Sequence, residues 1–318
     1  IAAWFPEAGH LAGGLTGDAT IRGSLADPSA TFHLHAARLD VGSSRGSNVD
    51  VRGTVNARGL SVDAASADLW RGHVDVSGAL SFGDGPHRVA VTARDVDAAT
   101  AAAAISGQLR VAPAGRVTLV ATGTGATTTL ADWQWRARLE VGESVNATGR
   151  VAWPGEADLR SADGAWTASG RHRLGGVVPV EWALSGQARA DSPITGQVRV
   201  ASVELRDVTE VLRATGLVDQ AFPPVSGSVV AEAIVSGSVG DPVIRGTADV
   251  TGVDAWQLHA ANGHADLRAV PVRGLGDLTL RVPELEWQGE VATQAFAHVS
   301  FSARSIDIAE LRAAQPDG

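Results

Sequence analysis

The chain lacks four residue types entirely. Its 318 residues contain no cysteine, methionine, tyrosine or lysine, so all 26 basic side chains are arginines. Without cysteine there can be no disulfide scaffold, no thiolate-ligated zinc or iron–sulfur site and no thiol nucleophile. Because the first residue is Ile1 and not methionine, we expect this sequence to be a fragment of a longer chain, with an unknown length missing at each end.

Charge runs and long apolar runs are also missing. The net charge is −9, and no five consecutive residues carry the same charge, which argues against a basic arm for nucleic acid. The longest apolar stretches, such as Ala98–Ile105, are far shorter than the ~20 residues of a membrane helix. Ile1–His10 has neither the basic start nor the apolar centre of a signal peptide. We therefore expect any membrane anchor to lie outside this sequence.

Apolar and polar residues alternate along most of the chain, which is the period of a half-buried β-strand. Turn signals such as Asp27-Pro28, Pro154-Gly155 and Asp241-Pro242 separate these segments. The pattern predicts an all-β fold: a long, curved, mainly antiparallel sheet of about twenty strands with a few short helices. Such a sheet could pack against a second one, close on itself or curl into a trough.

Helical pattern is confined to three short segments, each beginning with an aspartate that can cap a helix. The segments are Asp97–Ser106, Asp207–Gly216 and Asp307–Gln315. Their spacing of about 100 residues predicts three β modules, 1–107, 108–216 and 217–318. Each module is expected to end in a short helix, and all three to be continuous in one sheet.

Glycine recurs inside the predicted strands, where it suits bends and bulges in a strongly curved sheet. The positions are Gly53, Gly78, Gly149, Gly170, Gly196 and Gly246.

A longer phrase recurs as well. Val225–Gly246 reads as a glycine, a strand, Gly-Ser, a hydrophobic residue, Asp-Pro and a second strand, and Leu15–Arg38 repeats it. In this phrase the chain resembles the AsmA-like / TamB family of bacterial envelope proteins, and within it the long β-rich C-terminal region. The strands that run into an Asp-capped helix are similar to the segments that separate β modules in that family.

The resemblance implies a β-taco, a sheet curled around an apolar groove that carries phospholipids through the periplasm in support of outer-membrane biogenesis. It further implies an inner-membrane anchor at the N-terminus, in a segment outside this fragment, and an outer-membrane barrel assembly protein as partner. No cofactor is implied. The lining of such a groove would be the apolar strand positions, which would contact the acyl chains. These are Ile21, Phe32, Leu34, Val74, Val76, Leu80, Val89, Val91, Trp133, Trp135, Leu139, Val151, Trp153, Leu278, Leu280, Val282 and Trp287.

Other classes of function have less support in the sequence. His33 and His35 could form half of a metal site, but no third ligand follows at a suitable spacing. No Gly-x-Ser-x-Gly elbow is present, so we expect no catalytic residue and no metal site. The alternative to a lipid conduit is an assembly scaffold that binds client strands at its sheet edges. A parallel β-helix is disfavoured, because its coils repeat every ~20–25 residues.

Overall fold

The computed structural model describes most of the chain. The described residues are 11–25, 27–41, 44–106, 112–127, 129, 132–147, 150–187, 191–215, 221, 223–238, 240–270, 273–302 and 306–314. Within these ranges, no helix has the length and the apolar character needed to span a bilayer.

Strands account for most of the described residues, as the alternating pattern predicts. In the first half of the chain they are β1 (Leu11–Gly13), β2 (Thr16–Ser24), β3 (Asp27–Val41), β4 (Ser44–Asn56), β5 (Gly59–Leu69), β6 (Gly72–Ser81), β7 (His87–Asp97), β8 (Ala112–Ala114), β9 (Arg116–Gly125) and β10 (Gln134–Val141). In the second half they are β11 (Arg150–Ala152), β12 (Gly155–Ala162), β13 (Ala165–Leu174), β14 (Val178–Gln187), β15 (Ile194–Glu204), β16 (Val225–Gly237), β17 (Pro242–Ala255), β18 (Leu258–Val270), β19 (Leu275–Trp287), β20 (Glu290–Phe301) and β21 (Ile306–Ala314).

The chain divides into two compact units. Unit 1 comprises Ile1–Ser144 and Pro154–Gly164, and unit 2 comprises Val145–Trp153 and Ala165–Gly318. The three-module division predicted above has different boundaries and stays a prediction.

Unit 1 is built on an antiparallel meander. The strands pair in the order β2-β3-β4-β5-β6-β7-β9-β10-β12, with β1 on the same edge of β3 as β2. Helix α1 (Ala98–Ser106) connects β7 towards β9 and contacts β7 and β8. It begins where predicted, since the Asp97 side chain accepts a hydrogen bond from the backbone N–H of Thr100 at 2.9 Å.

Unit 2 repeats this construction. Its strands pair antiparallel in the order β13-β14-β15-β16-β17-β18-β19-β20-β21. Helix α2 (Leu205–Thr215) follows β15 and contacts β15, β16 and β11. The structure thus confirms the all-β, mainly antiparallel open sheet with few, short helices.

The two copies of the glycine and Asp-Pro phrase form the same hairpin. Gly23 pairs with Pro28 at the β2–β3 turn, and Gly237 pairs with Pro242 at the β16–β17 turn. The two glycines have nearly equal positive φ angles, +99° and +96°, which a side chain would strain. The sequence repeat is therefore also a structural repeat.

The third predicted helix is wrong. Asp307–Gln315 was expected to be helical, but Ile306–Ala314 forms strand β21. Ile308 lies opposite Val299 and Leu311 opposite Ala297 on β20. Pairing with β20 satisfies the backbone groups of this segment and extends the sheet.

Candidate functional site

One face of unit 1 is apolar from strand to strand. Residues directly opposite each other in the ladder share a face, so the register defines it. We call the following residues the unit 1 apolar face: Ala19, Ile21, Ala30, Phe32, Leu34, Ala36, Val49, Val51, Gly53, Val55, Leu60, Val62, Ala65, Ala67, Val74, Val76, Gly78, Leu80, Val89, Val91, Ala93, Val117, Leu119, Ala121, Gly123, Trp135, Ala137, Leu139, Val141, Ala157 and Leu159. No residue with a formal charge is in direct register with any of them on this face.

Unit 2 has a matching surface. We call the following residues the unit 2 apolar face: Trp166, Ala168, Gly170, Trp182, Leu184, Gly186, Ile194, Gly196, Val198, Val200, Val229, Ala231, Ala233, Val235, Ile244, Gly246, Ala248, Val250, Ala265, Leu267, Ala269, Gly276, Leu278, Leu280, Val282, Ala295, Ala297, Val299, Phe301, Ile308 and Leu311. The ladder pairs of its described residues are again uncharged. The polar His172 lies opposite Val180, which in turn pairs with Val200 of this face.

The side chains of these two faces are less buried than those of a protein core. Most of their large side chains, including Val76, Val91, Leu139 and Leu280, are only half-buried. No large side chain among the described residues is fully buried. Apolar surface left in contact with water is costly, at ~25 cal/mol per Å², and extended patches of it mark binding surfaces.

Large side chains on both faces lie over a glycine of the neighbouring strand. Phe32 lies opposite Gly53, Trp135 opposite Gly123 and Trp166 opposite Gly186. A Cβ atom built on Gly123 would be 2.7 Å from the Trp135 ring, and one on Gly53 would be 2.7 Å from the Phe32 ring. The aromatic rings therefore lie flat against the sheet and project little from the apolar faces.

This arrangement adds a second role for the strand glycines. Gly53 lies at the register shift between Arg52 and Gly53, and Gly78 pairs with Val62 beside the shift between Val62 and Ala65, so these two accompany bulges as the sequence predicts. None of the five glycines Gly53, Gly78, Gly170, Gly196 and Gly246 has a φ angle in the left-handed range. They lie on the apolar faces, and Gly149 is outside the described residues. Their absent side chains make room for neighbours, as Gly196 does for Leu184.

A line of bends in unit 2 lies at other positions. In unit 2, the register places Gly227, Gly252, Pro283 and Gln294 in one row that crosses β16 to β20. Gly227, Gly252 and Gln294 have φ angles of +114°, +61° and +55°, and Pro283 has no N–H to donate to the ladder. Such interruptions bend and twist a strand, so the row is a common line of bending.

The opposite face of each unit carries the charged residues. His33 and Asp50 are 2.6 Å apart on neighbouring strands, and Arg94 and Asp75 are 2.7 Å apart. Arg281 pairs with Asp266 at 2.5 Å in unit 2. Exposed pairs of this kind contribute little to stability, so the main consequence of these pairs is to keep this side of the sheet in water.

Asp75 and Asp266 also belong to an Asp–His–Asp motif that both units carry among their described residues. His73 lies between Asp68 at 3.0 Å and Asp75 at 3.2 Å. His264 lies between Asp249 at 2.6 Å and Asp266 at 3.6 Å.

In both motifs the pKa of the histidine is raised and the pKa of one aspartate is lowered. The hydrogen bond with Asp68 raises the pKa of His73, and the hydrogen bond with Asp249 raises the pKa of His264. The pKa of Asp68 is lowered mainly by its hydrogen bond with His73, and that of Asp266 mainly by its hydrogen bond with Arg281.

The charged face of unit 2 also has a concavity of about 460 Å³ between β16 and β19. Arg245 and Arg268 line it together with Glu232, Asp266 and Asp277. Because charges of both signs alternate there, the concavity does not select a cation or an anion.

Thirteen of the predicted groove residues lie on the two apolar faces. In unit 1 they are Ile21, Phe32, Leu34, Val74, Val76, Leu80, Val89, Val91, Trp135 and Leu139. In unit 2 they are Leu278, Leu280 and Val282.

The other four predicted residues lie elsewhere. Trp133 is buried, 3% exposed, and stacks between His87 and Trp135. Val151 is buried in the short strand β11, and Trp153 stacks on His172 with ring centroids 4.8 Å apart. Trp287 is at the end of β19, with 61% of its surface exposed.

The predicted groove lining left out other apolar positions of β13 to β18. Trp182, Val198, Ala233 and Leu267 are all part of the unit 2 apolar face. Alternation was present in this region, for example in Gln197-Val198-Arg199-Val200, and following it through would have found them.

Searches with protein-family models, among curated proteins and among solved structures found no match to this chain.

Proposed function

We propose that this chain is part of a periplasmic, bridge-like conduit for phospholipids that supports outer-membrane biogenesis. The observation that carries this proposal is the pair of apolar faces, which run across the strands of each unit without a charged side chain in register. The resemblance to the AsmA-like / TamB family supports the same function. In this proposal the protein is not an enzyme, and the acyl chains are its cargo.

The chemistry of the faces fits acyl chains in particular. Each CH₂ group removed from water contributes ~0.8 kcal/mol, so a long chain would be held by several kcal/mol over many contacts. Valine, leucine and alanine offer no hydrogen bond to fix the chain in one place, and the flat aromatic rings present few obstacles. A lipid held in this way could slide along the face.

A charge placed on the face should stop this sliding. Leu280 is half-buried and lies between Ala265 and Ala297 of the neighbouring strands. In Leu280→Arg, an acyl chain would have to bury an unpaired guanidinium, which costs several kcal/mol. We expect this variant to remain folded and to lose most of its bound lipid.

The test is mass spectrometry of lipid recovered from the purified chain. Thr279→Arg is the matched control, because Thr279 is the adjacent residue on the charged face. We expect phospholipid with the unchanged chain and with Thr279→Arg, and little with Leu280→Arg. Absence of lipid from all three would count against the proposal. Unfolding of Leu280→Arg alone would show that this position belongs to a closed core.

A second candidate is the assembly scaffold, which the outer strands of the two meanders favour. β2 pairs only with β3 and β21 only with β20 among the described strands. Ile21, Ile308 and Leu311 on these strands are 76%, 68% and 75% exposed. An unpaired edge with exposed apolar residues can take up a further strand. Crosslinkers on β2 and β21 that capture an outer-membrane protein, with none of the apolar-face probes capturing lipid, would favour this function.

A further inference from the structure

Two adjacent hairpin tips of unit 2 expose tryptophan to solvent. Trp256 is in the turn between β17 and β18 and is 73% exposed, and Trp287 ends β19 and is 61% exposed. The tips are joined, since the backbone N–H of Gln288 donates to the carbonyl of Gln257 at 3.1 Å. The two indole rings are therefore held at the same end of the sheet, on neighbouring hairpins.

The backbone at the first tip does not favour tryptophan. Trp256 has a φ angle of +55°, a region that glycine and asparagine occupy readily and bulky residues rarely. Local stability would be better served by one of those small residues. Strain of this kind occurs at tight turns and at functional sites, and here it is combined with a ring that is 73% exposed and presents its surface to contacts outside the fold.

The charges around the tips indicate the nature of that contact. Asp254, Glu284, Glu286 and Glu290 lie within three residues of the two tryptophans, whereas residues 254–259 and 284–291 include no arginine. Tryptophan rings bind quaternary ammonium groups through cation–π interactions, and carboxylates attract the same cations. An anionic surface would be repelled.

We propose that these two hairpin tips dock on the surface of a zwitterionic phospholipid bilayer. The indole rings lie at the interface, where tryptophan is enriched in membrane proteins, and the carboxylates face the ammonium ends of the headgroups. Two neighbouring hairpin tips present a broad surface, which matches a flat bilayer better than a pocket in a protein. The inference uses the tips alone and does not rest on the apolar faces.

The test is co-sedimentation of the purified chain with vesicles of phosphatidylcholine and, separately, of phosphatidylglycerol. We expect binding to phosphatidylcholine and weaker binding to phosphatidylglycerol. The double variant Trp256→Asn, Trp287→Gln should bind phosphatidylcholine about tenfold less tightly, because two large apolar surfaces no longer leave water. Ile234→Thr is the matched control, since Ile234 is 65% exposed but lies away from the tips, and it should bind as the unchanged chain does.

Several outcomes would overturn the proposal. These are unchanged binding by the double variant, an equal loss in Ile234→Thr, or tighter binding to phosphatidylglycerol than to phosphatidylcholine. Asparagine suits the positive φ angle, so Trp256→Asn should keep the thermal midpoint of the unchanged chain. If the double variant fails to fold, this single variant tests the docking of the first tip. Leu280→Arg should still bind vesicles, which separates failure of docking from failure of the conduit.

Discussion

At the scale of single residues, glycine and aromatic residues act as pairs. A ring lies over the glycine that faces it on the next strand, as Trp135 does over Gly123. The sequence showed that glycine recurs inside strands, and it could not show why. The pairing depends on the register between strands, and register is set by turns and bulges that a single strand does not reveal.

The pairing can be tested with the smallest possible addition. In Gly123→Ala, the new methyl group would be 2.7 Å from the Trp135 ring, so the ring must lift from the sheet. We expect a loss of ~1–3 kcal/mol in the free energy of unfolding, as for overpacked cores, measured by urea denaturation.

The control is Gly83→Ala, where a Cβ atom meets nothing within 4 Å. It should leave the free energy of unfolding nearly unchanged. Equal effects of the two substitutions would show that backbone freedom, and not the space under the ring, is the reason for glycine.

At the scale of elements, short sequence motifs correctly predicted the helix cap and the hairpin turns, which depend on neighbouring residues. The Asp97 cap and the paired Gly23 and Gly237 hairpins were readable, because each depends on a few neighbouring residues. Strand β21 was not, because its pairing with β20 decides its conformation. The row of bends through Gly227 and Pro283 was equally hidden, since it appears only when five strands are in register.

The Asp–His–Asp motif makes a prediction about pH. Because its pKa is raised above 6.5, His264 stabilises the fold fully below about pH 6.5, and this contribution is lost as the pH rises through the raised pKa. Its exposure keeps the contribution small. In Asp249→Asn, which removes the main cause of the shift, the titration midpoint of His264 should fall, as followed by NMR of the ring protons. A midpoint that does not move would show that Asp249 does not hold the imidazolium.

At the scale of the whole molecule, the two units share one construction. Each has a meander with one charged face and one uncharged face, and each has an Asp–His–Asp motif among its described residues. Alternation in the sequence predicted that each strand has one apolar and one polar face, and it predicted 13 of the residues on the apolar faces, ten of them in unit 1. It did not predict where the units divide, because the strands on either side of that division have the same pattern as all the others.

The central claim is that the apolar faces hold lipid, and site-specific photocrosslinking in cells tests it most directly. Probes would replace Val76, Val91 and Leu280 on the apolar faces, and the adjacent Ser77, Thr92 and Thr279 would serve as matched positions on the charged faces. We predict that the first three capture phospholipid and the second three do not. Equal capture from both faces, or no lipid at any of the six positions, would contradict the account.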